Sequence, residues 1–302
     1  MAYRLKRSDR SVQLAMRRIA TEQIETAVAS IDDPAVEPAA GVHELRKSCK
    51  KIRGLLRLVK PQFNRYKAEN ASFRDIAASV SSVRDTDVLI ATYDAVVLHY
   101  QDQVDRPALA SIRRGLTLRR KAGALGHDPG GLLSQCRKRL LEVKDRVNGW
   151  QLEADGFAAM EEGLGKSFGR ARKAMRKAKQ SPLPELLHEW RKRCKDHWYH
   201  ARLLQPIWPG PMRAHVDCAH ALGDVLGDHH DLTVFLCTLD AQPQDLGDAA
   251  SIEVMASLAT SRQDALATHA FALGARLLAE SPSSLRSSWG LRFAAWRGEH
   301  AH

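Results

Sequence analysis

The feature that most limits the possible folds is a nineteen-residue segment that occurs twice with helical spacing. It runs from His43 to Pro61 and again from His188 to Pro206, at an offset of 145 residues without a gap, and nine of its nineteen positions are identical. Chance seldom gives such a match, so the chain is predicted to contain an internal duplication. No window alternates apolar and polar residues for long enough to indicate a sheet, so we expect an all-α fold.

Drawn as helices, the two segments each carry one apolar face and one cationic face. At about 100° per residue, a single arc of roughly 120° in the first segment holds His43, Arg46, Lys47, Lys50, Arg53 and Arg57. The same angles in the second segment hold His188, Arg191, Lys192, Lys195 and Arg202. Neither arc contains a carboxylate, although solvated helix faces usually interleave acids with bases. A solvated basic face is the plain alternative, but the recurrence favours an anion-binding site.

The opposite face of the first segment is predicted to enter the core. It carries Leu45, Cys49, Ile52, Leu56 and Val59. Cys49 and its equivalent Cys194 are interpreted as small buried apolar residues. The five cysteines form no CxxC pair, and their odd number argues against a disulfide framework.

The charge balance predicts a polyanionic partner. The 302 residues include 46 Lys and Arg against 35 Asp and Glu, which gives a net charge of +11 and a pI near 9.6. Nucleic acid, an anionic membrane and a phosphate polymer all remain possible on this basis. We see neither a membrane span nor a signal peptide in the sequence, so a cytoplasmic location is expected.

Breaks in the helical pattern divide the chain into two similar halves, 1–150 and 151–302. Besides the two basic helices, helices are predicted over 11–31, 64–100, 105–124, 132–148, 157–179, 212–239 and 249–279. A short tail with Trp289 and Trp296 is expected after Pro282.

The duplication extends to a second pair of segments about forty residues after each basic helix. Arg84-Asp85 in the first half aligns with His230-Asp231 in the second, at an offset of 146. Arg and His can both donate hydrogen bonds to an oxyanion.

Two other functions compete with anion binding. Adjacent His229, His230 and Asp231 allow a metal-dependent phosphohydrolase, although the equivalent position in the first half holds Arg84, which is poor support for a metal centre. Non-specific nucleic-acid binding would need only phosphate contacts, but the chain has no recognisable nucleic-acid-binding motif. No catalytic apparatus is visible.

The motifs His-x-x-Arg-Lys-x-x-Lys at 43–50 and 188–195, together with those at 84–89 and 226–232, resemble the CHAD family (conserved histidine α-helical domain). The opening Tyr3-Arg4-Leu5 is also similar to the family's usual start, so the resemblance covers almost the whole chain. It implies two pseudo-symmetric four-helix bundles that enclose a basic groove or pore. It also implies binding of inorganic polyphosphate and association with polyphosphate granules. We expect no cofactor, no metal, no membrane and no specific nucleic acid as partners.

The resemblance also implies a set of ligand residues. They are His43, Arg46, Lys47, Lys50, Arg57 and Arg84 in the first half, and His188, Arg191, Lys192, Lys195, Arg202 and His230 in the second. Arg53 lies on the same face but is replaced by Trp198 in the second copy, and Arg18 and Arg172 are expected to add to the groove wall. The Glu-x-Glu-x-Lys motif of the triphosphate-tunnel (CYTH) domain that many relatives carry is missing, so a stand-alone, non-enzymatic CHAD protein is expected.

Overall fold

The computed structural model describes residues 3–80, 85–124, 129–241 and 243–298, and within these ranges the chain forms eleven α-helices and no strand. The expected all-α class is confirmed. The first half contains α1 Val12–Asp32, α2 Pro38–Leu58, α3 Tyr66–Ala78, α4 Asp85–His99, α5 Arg106–Ala124 and α6 Pro129–Val147. The second half contains α7 Ala158–Gln180, α8 Pro184–Leu204, α9 Pro209–Ala241, α10 Ala249–Leu277 and α11 Pro282–Gly298.

The two basic segments form helices of equal length that begin in the same way. Both α2 and α8 contain 21 residues, and each begins with a proline, which has no N–H to leave unpaired in the first turn. The five residues predicted to line the core face of α2 are all fully buried, which confirms that face. Cys49 and Cys194 are buried as expected, and burial raises the pKa of both thiols, to about 12 for Cys49.

Two helix predictions need correction. The expected tail after Pro282 is the helix α11, because Leu285, Trp289, Phe293 and Trp296 recur at helical spacing and are all buried. The single helix predicted over 64–100 is described as two helices, α3 and α4, which end and begin on either side of the undescribed residues 81–84. The equivalent part of the second half is the continuous helix α9.

The apolar residues form two cores, and each core takes helices from both halves. The larger core joins α1, α2, α3, α6, α7, α8 and α11 with the first part of α9 and the end of α10. The smaller core joins α4 and α5 with the last part of α9 and the first part of α10. The long helices α9 and α10 therefore run through both cores. The division at residue 150 separates two sequence repeats that share their packing, and it stays a prediction as a domain boundary.

Among the described residues, every helix is too short or too polar to cross a lipid bilayer.

Candidate anion-binding site

The two basic helices pack directly on each other and cross near their C-terminal ends. The helices approach each other closely at Gly54 of α2, where an added Cβ would lie 2.8 Å from the Cβ of Tyr199 on α8. The carbonyl oxygen of Gly54 also lies 3.0 Å from Nε2 of buried His200, and because a carbonyl can only accept, this nitrogen carries the proton. Positions 54 and 199 are 145 apart, so the helices meet at equivalent residues of the two repeats.

A buried carboxylate lies beside this crossing. Asp196 forms an ion pair with Arg57 of α2, with Nη1 and Oδ1 2.9 Å apart, and its Oδ2 accepts a hydrogen bond from Nη1 of Arg193 at 3.3 Å. Burial raises the pKa of Asp196, although these arginines oppose the shift. Arg53 stands close to the same group and donates to the Oδ1 of Asn70 at 3.3 Å, and burial lowers the pKa of its guanidinium. The cationic face of α2 therefore ends in Arg57, which is anchored by a carboxylate from α8.

The position equivalent to Asp196 in the first half holds Lys51, so the arginine of the second half has no such carboxylate. Arg202, the equivalent of Arg57, instead lies over aromatic rings, 4.8 Å from the ring centre of Trp198 and 5.6 Å from that of Tyr3. The Tyr3 hydroxyl donates to the carbonyl of Lys51 at 2.7 Å, which ties the N-terminal segment to α2. The duplicated cations thus have different supports in the two halves.

The cationic face of α8 lies against α9, where two glycines leave space for it. An added Cβ would lie 2.8 Å from Cε of Lys195 at Gly223, and 3.4 Å from Nε of Arg191 at Gly227. Lys195 Nζ also forms an ion pair with Asp224 Oδ1 at 2.8 Å. The small residues of α9 therefore let long basic side chains lie along the helix.

Two histidines from the predicted set are brought into contact at the start of this face. The ring centres of His188 on α8 and His230 on α9 are 4.0 Å apart. Burial, followed by the nearby His230, Lys192 and Arg191, lowers the pKa of His188 to about 4, and burial and Arg191 lower that of His230. Both rings are therefore neutral near pH 7 in the free protein, beside cations that an anion would neutralise.

The remaining predicted residues of α2 and α8 lie on the expected faces. His43 and Lys50 are exposed and Arg46 is half-buried. Lys47 and Lys192, which are equivalent, form matching ion pairs with Glu44 at 2.7 Å and Glu189 at 2.8 Å. Arg84 lies outside the described residues.

The two arginines predicted on α1 and α7 differ in their surroundings. Arg18 is held in a network, with its guanidinium 2.7 Å from Asp9 and 3.1 Å from Glu22. Arg172 is half-buried on α7. Arg18 therefore already has two carboxylate partners in the N-terminal part of the fold.

Sequence reasoning missed the groups that support the cations. Asp196 and Asp224 lie outside the cationic arcs, so the absence of acids from the arcs did not mean an absence of acids around them. Their roles depend on which helices are neighbours, which helical periodicity does not specify. The spacing of Gly223 and Gly227, one turn apart, was an available signal of a close contact on α9.

The adjacent histidines of α9 face different neighbours. His230 contacts α8, whereas His229 is buried near Asp264 of α10, and its carbonyl accepts from Gln263 at 3.2 Å. Over the described ranges, no three His, Cys, Asp or Glu side chains are grouped so that they could hold a metal ion. The arrangement brings cations and histidines together from α8 and α9, which suits an anion.

These features define an all-helical protein of two repeats, in which duplicated basic helices cross at equivalent positions. The family model for the CHAD domain matches residues 18–240, about three quarters of the chain, and the chain belongs to this family. The match includes both basic helices and the His188–His230 contact. A search among curated proteins finds no match.

Proposed function

We propose that the protein binds inorganic polyphosphate along the cationic faces of α2 and α8, and that it does so without catalysing a reaction. Some members of the CHAD family bind polyphosphate. The observation that supports the proposal is the direct packing of the two basic helices on each other, with Gly54 against Tyr199. A polymer gains from such an arrangement, because each bound phosphate raises the local concentration of the next.

The ligand residues we propose are those of the two faces together with His230 and Arg84. Arginine suits phosphate because its planar guanidinium donates two parallel hydrogen bonds, while lysine supplies a mobile charge. Arg191 is the best-supported member, because Gly227 of α9 leaves room beside its side chain, while Lys195 lies against Gly223 but already pairs with Asp224. Arg172 remains a further candidate, and Arg18 is a weaker one because Asp9 and Glu22 already bind it.

We also infer that the two repeats are related by an approximate twofold axis through the crossing, with the basic faces forming one groove. Contact between Gly54 and Tyr199, equivalent residues at the repeat offset, supports this relation. A cytoplasmic protein associated with polyphosphate granules would follow from this function.

The proposal is tested by titrating the protein with long-chain polyphosphate and with duplex DNA of equal phosphate content, at about 0.15 M salt. We expect clearly tighter binding of polyphosphate. Equal affinity for the two polymers would show that the protein binds polyanions without specificity for polyphosphate. Incubation with polyphosphate and Mg²⁺ or Mn²⁺ should release no orthophosphate above the protein-free rate, and release would instead support a phosphohydrolase.

A double variant locates the site. Arg46→Ala with Arg191→Ala should weaken polyphosphate binding by at least about a hundredfold, since each hydrogen bond to a charged group contributes about 1.5–3 kcal/mol. The matched control is Arg106→Ala with Arg114→Ala, which removes the same charge from exposed positions of α5, a helix that packs in the smaller core. Equal losses in the two double variants, with helical content retained, would place the site elsewhere.

A further inference from the structure

A basic cavity lies between the N-terminal segment, the residues that follow α8, the start of α9 and the end of α11. Its volume is about 520 Å³, and its lining comes from Arg4, Leu5, Lys6, Arg7, Gln205, Pro206, Ile207, Trp208, Pro209, Arg213 and Trp296. We name it the N-terminal cleft. None of its lining residues belongs to the predicted polyphosphate set, so its function requires a separate explanation.

The positive charge of the N-terminal cleft favours an anionic ligand. Four of its lining residues are cationic, and none of the described lining residues is a carboxylate. Lys6 is directed partly to Glu22, with Nζ and Oε1 3.3 Å apart, whereas Arg4 and Arg213 are exposed at the rim. Closely spaced guanidinium groups are typical of sites that bind phosphate oxygens.

The same cleft has an aromatic and apolar part that an inorganic anion would not use. Trp208 is 46% exposed, which is unusual for so large an apolar side chain. Arg292 lies 4.5 Å from the centre of its ring, so the indole is held in place by a cation. Leu5 and Ile207 add buried apolar surface beside it, and the Gln205 amide can both donate and accept hydrogen bonds.

Trp296 is also fixed on the cleft wall. It is 3% exposed, and Arg297 lies 5.0 Å from its ring centre. Arg297 in turn donates to the carbonyl of Asp9 at 2.7 Å, which joins the end of α11 to the N-terminal segment. The cleft is therefore held by contacts between both ends of the chain, and its shape does not depend on one loop alone.

We propose that the N-terminal cleft binds a nucleotide that carries two or more phosphates. The cations match the phosphates, and the exposed indole of Trp208 offers the base a stacking surface, as aromatic side chains do in nucleic-acid-binding proteins. The cleft volume falls within the range of about 300–1,000 Å³ that is usual for small-molecule sites. A phosphate chain alone would leave the aromatic and apolar surface without a partner.

The test compares ATP, inorganic triphosphate and adenosine on the full chain carrying Arg46→Ala and Arg191→Ala, because triphosphate would otherwise also bind the proposed polyphosphate site. ATP should bind at least about tenfold more tightly than either of the others, because only ATP has both the phosphates and the base. Binding should also change the tryptophan fluorescence. Triphosphate that binds as tightly as ATP would overturn the nucleotide assignment, as would the absence of ATP binding at millimolar concentration.

Variants of the cleft assign the contacts. Trp208→Ala should weaken ATP binding about five- to hundredfold, while Trp208→Phe should retain most of it, because a base stacks on either ring. Arg213→Gln should weaken ATP and triphosphate binding alike, with Arg114→Gln on α5 as the matched change of charge. An unchanged affinity for ATP in Trp208→Ala would refute the stacking contact.

The cleft and the cationic faces can be tested separately. The Arg46→Ala, Arg191→Ala variant should retain ATP binding, and Trp208→Ala should retain polyphosphate binding. Loss of both ligands in either variant would contradict two independent sites.

Discussion

Replacing Gly54 with alanine should show how strictly the crossing of the two basic helices sets their separation. The new Cβ would lie 2.8 Å from the Cβ of Tyr199 and 3.0 Å from its Cγ. Neither atom is the free end of a flexible side chain, so α2 and α8 must move apart by about 0.6 Å before the shortest contact reaches 3.4 Å. The hydrogen bond between His200 and the Gly54 carbonyl would be strained by the same movement.

Two opposing effects determine the magnitude. Overpacking of a tight contact costs about 1–3 kcal/mol, while alanine gains about 1 kcal/mol over glycine within a helix. The Gly54→Ala protein should therefore be less stable by up to about 2 kcal/mol, even though the substitution favours the helical backbone.

Gly41 provides a matched control in the same helix. An added Cβ there would make only ordinary contacts, the shortest at 3.6 Å, so Gly41→Ala should be neutral or slightly stabilising. Urea unfolding should be measured for both variants, and the decisive quantity is the difference between their free energies of unfolding. In this difference the helix preference of alanine over glycine largely cancels. We expect Gly54→Ala to unfold with a free energy lower by about 1–3 kcal/mol. Equal stabilities of the two variants would show that α2 and α8 can move apart at little cost, and would refute the claim that Gly54 sets their separation.

Two further predictions concern the proposed ligand. Polyphosphate affinity should rise as the pH falls from about 8 to about 6. The reason is that bound phosphates stabilise the protonated forms of His188 and His230, whose pKa values are lowered in the free protein. Titration calorimetry in two buffers should detect proton uptake, and a pH-independent affinity would contradict the histidine assignment. Gly223→Ala should leave the free energy of unfolding unchanged or raise it by up to about 1 kcal/mol. It should nevertheless weaken polyphosphate binding severalfold, because the new Cβ displaces the flexible end of Lys195. An unchanged affinity would exclude Lys195 from the site.

The sequence predicted which residues of a helix are buried better than it predicted which other helix those residues contact. Apolar spacing placed Leu45 and Leu56 in the core, because a helical period assigns residues to faces. It could not place Asp196 beside Arg57, since that pair depends on how α2 and α8 cross. The helix α11 was missed because its aromatic residues were interpreted as an isolated tail, although their spacing fits a buried helical face.

The predicted anion site shows the same division. The cationic residues were identifiable because the duplication repeats them, and repetition needs no knowledge of tertiary contacts. The contact between His188 and His230 was not identifiable, since it requires α8 and α9 to lie side by side with a particular register. The N-terminal cleft is less predictable still, because Arg4, Trp208 and Trp296 come from three distant parts of the chain.

The contact between Gly54 and Tyr199 has a consequence for a single repeat in isolation. A surface patch that meets its own equivalent forms an isologous interface, the kind found in twofold homodimers. One repeat alone would expose the face that now packs on its partner repeat, together with part of both shared cores. The separately produced fragments 1–150 and 151–302 should therefore associate with each other, whereas two copies of 151–302 cannot pair in the same way, because Tyr199 would meet Tyr199 where Gly54 now leaves space.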